Sequence, residues 1–359
     1  MTLKTTRRTL LAGAAATGAL ALPGSRLLAA EQVKAGWVYV GPIGDHGWTY
    51  THDQGRLDVE KALGDKVVTT YVENVAEGPD AERVIRQLAA SGNDIIFATS
   101  FGFMNPVIRV AKQFPKVKFE HATGYKTAPN VAVYNARFHE GRTVIGTIAG
   151  RLSKSGIVGY IASFPIPEVV MGINAFTLAM RKRRPDAQIK VVWVNSWYDP
   201  GKEADAAKAL IDQGADIITQ HTDSPAPLQV AEERGVSGFG QASDMRKFAP
   251  NAQLTAIVDH WGPYYVERVK AVLEGTWKSH IIWHGLKEGM VQIAPYGPRV
   301  PEEVRAEADA VKQGIIDGTL HPFAGPIRDQ AGELRVPEGQ SLSDEELLKM
   351  DWYVEGVQA

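Results

Sequence analysis

The side chains best suited to chemistry in this sequence are large rings and carboxyls that fall between apolar runs. Trp48, Tyr50, Phe101, Phe103, Phe164, Trp197 and Tyr198 all lie in stretches that read as loops. Loops run through water and favour small polar residues, so seven large rings there need a reason. Two rings facing each other across a cleft can stack on a planar ligand. A single ring reads equally well as a cap on the end of a sheet. The same stretches carry groups that could read a ligand's edge. Asp45, Asp53, Ser100, Glu168, Asp199, Asp223 and Asp244 offer acceptors, and Asn74, Asn105 and Asn195 offer donors and acceptors. Asp199 before Pro200 and Asp80 after Pro79 read as helix starts. Asp45, Asp223 and Asp244 have no such context. The expected ligand contacts are therefore Asp45, Trp48, Tyr50, Ser100, Phe101, Glu168, Trp197, Asp223 and Asp244.

Catalytic readings find little support. Gly36, Gly41 and Gly44 do not make a dinucleotide fingerprint, and no Walker-type lysine loop is present. There is no Gly-x-Ser-x-Gly elbow. His280 and His284 flank the strand-like Ile281-Ile282-Trp283, but no third metal ligand accompanies them. Glu302-Glu303 and Glu345-Glu346 read as solvated helix starts. No catalytic residue, metal or cofactor is expected.

Elements that position these residues follow from hydrophobic period. Trp37 to Val40, Val67 to Val72 and Ile95 to Ala98 read as strands, separated by helices around Gly55 to Leu63 and Pro79 to Ala90. Such alternation implies parallel sheets covered by helices. A shift of 122 residues lays Trp37 to Val40 on Gly159 to Ala162 and Gly92 to Ile96 on Gly214 to Ile218. The chain therefore reads as two similar α/β lobes. Ligands of open parallel sheets bind beyond the carboxyl ends of the strands. Residues 41–52, 74–79 and 99–105 should then face 163–168, 196–200 and 221–227 across one cleft. Segments near Glu140, Asp259 and Gly285 are expected to cross between lobes. The first lobe would hold 31–138 plus about 258–285, and the second 139–257 plus about 286–359, with a surface wrap beyond Thr319.

Residues 1–30 have a separate character. Arg7-Arg8, an apolar run from Leu10 to Leu22 and a small-residue end at Leu28-Ala29-Ala30 describe a removable export signal of twin-arginine type. The full chain carries 39 basic and 41 acidic residues. Subtracting Lys4, Arg7, Arg8 and Arg26 leaves 35 basic against 41 acidic residues, a formal charge of −6. An acidic balance argues against a nucleic-acid or anionic-membrane partner. Absence of cysteine excludes disulfides and a lipid-bearing cysteine. The mature chain is expected free in the periplasm, as a monomer.

Several segments together resemble a known family. Gly41-Pro42-Ile43-Gly44-Asp45-His46-Gly47-Trp48 is similar to the first-strand loop of the basic membrane protein family. Phe138-His139-Glu140-Gly141, Val158-Gly159-Tyr160-Ile161, Asp199-Pro200-Gly201-Lys202, Gln213 to Ile218 and Gly285-Leu286-Lys287-Glu288-Gly289 continue the resemblance over nearly all of the mature chain. It implies a type I periplasmic-binding-protein fold with two Rossmann-like lobes. It also implies a purine or nucleoside ligand between stacked aromatics and an ABC transporter permease as partner. Asp45, Trp48 and Trp197 fall on the matching positions. Gly47-Trp48-Thr49 stands where the family usually has Ser-Phe-Asn, and His221 to Pro225 where it has a glycine-rich loop. Those departures point to a purine base rather than a full nucleoside. Two alternatives share the cleft: a periplasmic nucleosidase using Asp45 or Asp223 as general acid or base, and a ligand sensor for a membrane receptor.

Overall fold

The computed structural model describes residues 32–359; the expected export signal at 1–30 lies outside them. The first half begins with β1 (Val33–Val38), α1 (Gly47–Leu63), β2 (Val67–Val72), α2 (Pro79–Ala90) and β3 (Ile95–Ala98). It continues through α3 (Met104–Ala111), β4 (Lys118–Ala122) and β5 (Val131–Ala136). The second half repeats this plan with α4 (Phe138–Leu152), β6 (Ile157–Ala162), α5 (Pro167–Arg181) and β7 (Gln188–Trp193). Then come α6 (Pro200–Asp212), β8 (Ile217–His221), α7 (Ala226–Arg234), β9 (Ser237–Gly240) and β10 (Gln253–Asp259). The remainder supplies α8 (Gly262–Leu273), β11 (Ile281–His284), β12 (Val291–Ile293) and α9 (Glu302–Ile316). Last are β13 (Ile327–Arg328), β14 (Leu334–Val336), α10 (Asp344–Leu347) and β15 (Val357–Gln358).

Strands collect into two large sheets, ordered β11-β5-β4-β3-β1-β2 and β12-β10-β9-β8-β6-β7-β15. All pairs are parallel except β10 with β12. Both faces are covered, so central strands read as unbroken apolar runs: β3 and β5 are buried at every position. Helix faces show the complementary period, with Val84, Ile85 and Leu88 of α2 packed inward.

In both sheets the winding reverses beside the first strand, between β1 and β3 and between β6 and β8. Those reversal points open the crevices where α/β sheets bind ligands. The chain passes from the first sheet to the second between β5 and α4. It returns between β10 and α8 and crosses again between β11 and β12. Helix α8 is fixed to the first sheet by Arg268, whose Nε donates to the buried Glu120 carboxylate at 2.6 Å. Tyr264 and Trp277 donate to the same carboxylate.

Two local readings change. Helix α1 starts at Gly47, so Trp48 and Tyr50 sit on its first turn rather than in a loop. Gly47 has φ +76°, and a methyl group there would stand 2.6 Å from the Asp223 carbonyl oxygen. The helix can start this early because a bare backbone meets the opposite lobe. Phe103 is fully buried, a core residue and not a cleft ring.

Candidate functional site

The two crevices share one cavity, walled from both lobes. Each wall comes from the carboxyl ends of strands. Val40 and Trp48 follow β1, Ser100 and Phe101 follow β3, and Thr123 follows β4. Opposite them stand Glu168, Trp197, His221, Asp223 and Gln241.

Direct bonds hold the lobes together over the cavity. The Gly47 amide donates to Ser243 Oγ at 2.7 Å and the Trp48 amide to Asp223 Oδ1 at 3.4 Å. The amino end of α1 thus points at the second lobe, the favourable direction for a carboxyl partner. Trp197 Nε1 donates to Glu77 Oε1 at 3.2 Å, and Glu77 also accepts from Ser100 Oγ at 2.5 Å. At the rim, Lys247 pairs with Asp45.

The two tryptophans are held differently. Trp48 donates its Nε1 to the Thr99 carbonyl at 2.6 Å. Its ring meets His52 and Trp261 edge to face at 4.4 and 5.4 Å. Trp197 rests on Phe164 at 5.1 Å. One ring is seated in the core of the first lobe, and the other is a half-buried flap from the second.

The polar wall carries little charge near neutral pH. Glu168 occupies the first turn of α5, where the helix dipole favours an anion by ~0.3–1 kcal/mol. Burial outweighs that and pushes its carboxyl up to about 8, against opposing contributions from Asn135 and Arg142. Burial, then nearby Glu203, pushes Asp223 up to about 8. Behind them Asp259, 3% exposed, has no partner for either oxygen among the described residues. Its carboxyl is raised well above the usual range by burial and by Asp223 and Glu168. Burial, reinforced by Arg142, holds His221 well below 6.5, so its ring is neutral. Its Nε2 lies 3.7 Å from Glu168 Oε1. The wall therefore offers uncharged groups able both to donate and to accept.

Of the nine residues expected at the ligand, Trp48, Ser100, Phe101, Glu168, Trp197 and Asp223 line the cavity. Asp45, Tyr50 and Asp244 do not. Asp45 is exposed and spends its oxygens on Lys247 and His46. Asp244 caps its own turn, accepting from the Arg246 amide and from Gln253 Nε2. Tyr50 lies two residues beyond Trp48 on α1, a spacing that turns a helical side chain to another face. Sequence reasoning missed Val40, Thr123, His221 and Gln241; of these only His221, a polar ring closing a strand, carried a local signal.

A pair of largely parallel sheets with a cavity between their facing switch points defines a two-lobed small-molecule binding protein. Residues 32–320 match the family model for ABC transporter substrate-binding proteins, PnrA-like, and the chain belongs to that family. Its members are extracytoplasmic proteins that present small ligands to a membrane permease. A purine-binding protein of Brucella abortus is 60% identical over 92% of this chain and 94% of its own. A putative ABC transporter glucose-binding protein of Haloferax volcanii is 39% identical over 91% and 81% respectively. Among solved structures, an ABC transporter solute-binding protein of Aeropyrum pernix has a TM-score of 0.70 at 19% identity. That match covers 82% of this chain and 94% of the other, and it shares the fold.

Proposed function

We propose that this chain captures a purine base in the periplasm and hands it unchanged to an ABC importer. The observation that carries this reading is the cavity itself, with Trp48 and Trp197 from opposite lobes and the neutral Glu168, Asp223 and His221 at its edge. Stacked rings suit a flat heteroaromatic, and an uncharged wall with both hydrogen-bond polarities suits a base whose edge also has both. The purine-binding relative supports the same ligand class.

Closure around the ligand would turn on the three crossings. Export by the twin-arginine route, on the strength of Arg7-Arg8, and a free monomeric state complete the proposal.

Mass spectrometry of ligand released by denaturing the purified protein tests the cargo. Calorimetric titration with adenine, guanine, hypoxanthine, their nucleosides and glucose tests the class. A free purine base should bind most tightly and be recovered intact. Tighter binding of glucose, or conversion of a nucleoside to free base, would overturn the proposal.

A further inference from the structure

Helix α5 carries a glycine, Gly172, at its centre. Glycine is the poorest helix former after proline, so an internal one needs a cause. Close packing is the cause at Gly146 and Gly150 on the neighbouring α4. A methyl group there would stand 2.4 Å from the Phe176 carbonyl oxygen and 2.7 Å from that of Met180. Gly172 differs. Its methyl would stand 3.4 Å from the Tyr160 hydroxyl oxygen, 3.6 Å from His221 Nδ1 and 3.7 Å from Arg142 Cγ. Those are ordinary contacts, so alanine would fit without strain.

What surrounds that space is polar and unpaired. The Tyr160 hydroxyl, His221 Nδ1 and Arg142 Nε lack hydrogen-bond partners among the described residues. Tyr160 and Arg142 are fully buried and His221 is 6% exposed. Leaving several buried polar groups unmade is costly, and a site with that many partners can hold an ordered water.

We infer that Gly172 keeps room for a structural water bonded to Tyr160 and His221 Nδ1, and that this water makes His221 a hydrogen-bond donor at the ligand cavity. The polarity follows from the neighbours. Arg142 can only donate, and its Nη1 and Nη2 already reach Thr219 Oγ1 and Gln241 Oε1 at 3.3 and 2.5 Å. Tyr160 has its hydroxyl proton to give. In the proposed arrangement the water accepts from Tyr160, which leaves its own protons free, and it donates one to Nδ1. The imidazole proton then sits on Nε2, the nitrogen facing Glu168 and the cavity. The ligand position next to His221 therefore favours an acceptor over a donor. Gly172, Tyr160 and Arg142 are positioning residues that act through His221.

This inference rests on the cavity being the ligand site, so its first readout is taken without ligand. Side-chain ¹⁵N NMR of the unliganded protein, with His221 assigned by comparison with His221→Gln, should show the Nε2–H tautomer. Gly172→Ala, which removes the space, and Tyr160→Phe, which removes the donor, should each shift His221 toward Nδ1–H. Both should weaken adenine binding about tenfold, as expected for one lost hydrogen bond. An Nδ1–H tautomer in the unaltered protein, or one unmoved by Gly172→Ala and Tyr160→Phe, would overturn the inference. Expected tautomers without purine binding would instead sink the cargo reading and leave the water site standing.

Discussion

Trp197→Ala isolates ring stacking from folding. Among the described residues the half-buried Trp197 side chain touches one other ring, Phe164, and makes one hydrogen bond, to Glu77. Losing it should cost the unliganded protein little stability. Trp48 is a poorer probe, because its ring also packs on His52 and Trp261. Aromatic stacking on a base contributes ~1–3 kcal/mol by alanine substitution. At a factor of ten per ~1.4 kcal/mol, Trp197→Ala should weaken adenine binding about 5- to 150-fold. Trp197→Phe keeps a ring and loses only the bond to Glu77. A typical hydrogen bond contributes ~0.5–1.5 kcal/mol net, so that variant should lose about two- to tenfold. Glu77→Gln retains an acceptor and should lose less still. Calorimetry gives the affinities, and a thermal melt of each unliganded variant checks the fold. Unaltered affinity in Trp197→Ala would show that the ring only covers the cavity mouth. Equal losses in the alanine and phenylalanine variants would assign the effect to the Glu77 bond and refute stacking.

Three further outcomes follow from other parts of the molecule. Glu168 is raised to about 8 in the folded protein from an ordinary value of 4.5, so its contribution to stability is full below 4.5 and lost as pH rises through about 8. Melting temperature of the unliganded protein should fall across that window, and Glu168→Gln should flatten the fall; an unchanged profile in the variant would remove Glu168 as its source. Gly285 lies on the third crossing, where a methyl group would stand 2.1 Å from Glu140 Oε2. The Glu140 carboxyl can swing aside only by giving up its bond from the Leu286 amide, so Gly285→Ala should cost about the ~0.5–1.5 kcal/mol of one hydrogen bond in denaturant unfolding, and full stability of the variant would contradict that contact. Changing Arg7 and Arg8 together to lysine should leave precursor in the cytoplasm on fractionation, and normal export would exclude the twin-arginine route.

Features set by neighbours along the chain are legible in the amino-acid sequence itself. The alternation of strand and helix periods yields the α/β class, and Pro79–Ala90 is a helix with its expected inward face. Asp199 caps α6 as its position before Pro200 implies, accepting from the Lys202 amide. The repeat at 122 residues corresponds to the common order β2-β1-β3-β4-β5 and β7-β6-β8-β9-β10. The offset varies from strand to strand, 124 residues from β1 to β6 and 121 from β2 to β7, and Asn74 and Asn195, each two residues beyond its strand, have φ of 57° and 51°.

Tertiary structure alone decided which polar residues face the cavity. Asp45 and Asp223 look equivalent in sequence, yet one is an exposed partner of Lys247 and the other lies under the amino end of α1. Phe103 and Phe101 are two residues apart, and one fills the core while the other lines the cavity. Arg142, Tyr160, His221 and Asp259 come from α4, β6, β8 and β10, and no local pattern links them. Periodicity records how each segment meets a generic apolar interior. Which groups converge, and hence which carboxyls lose their water and keep their protons, depends on the order in which distant strands pair and on closure of one lobe over the other.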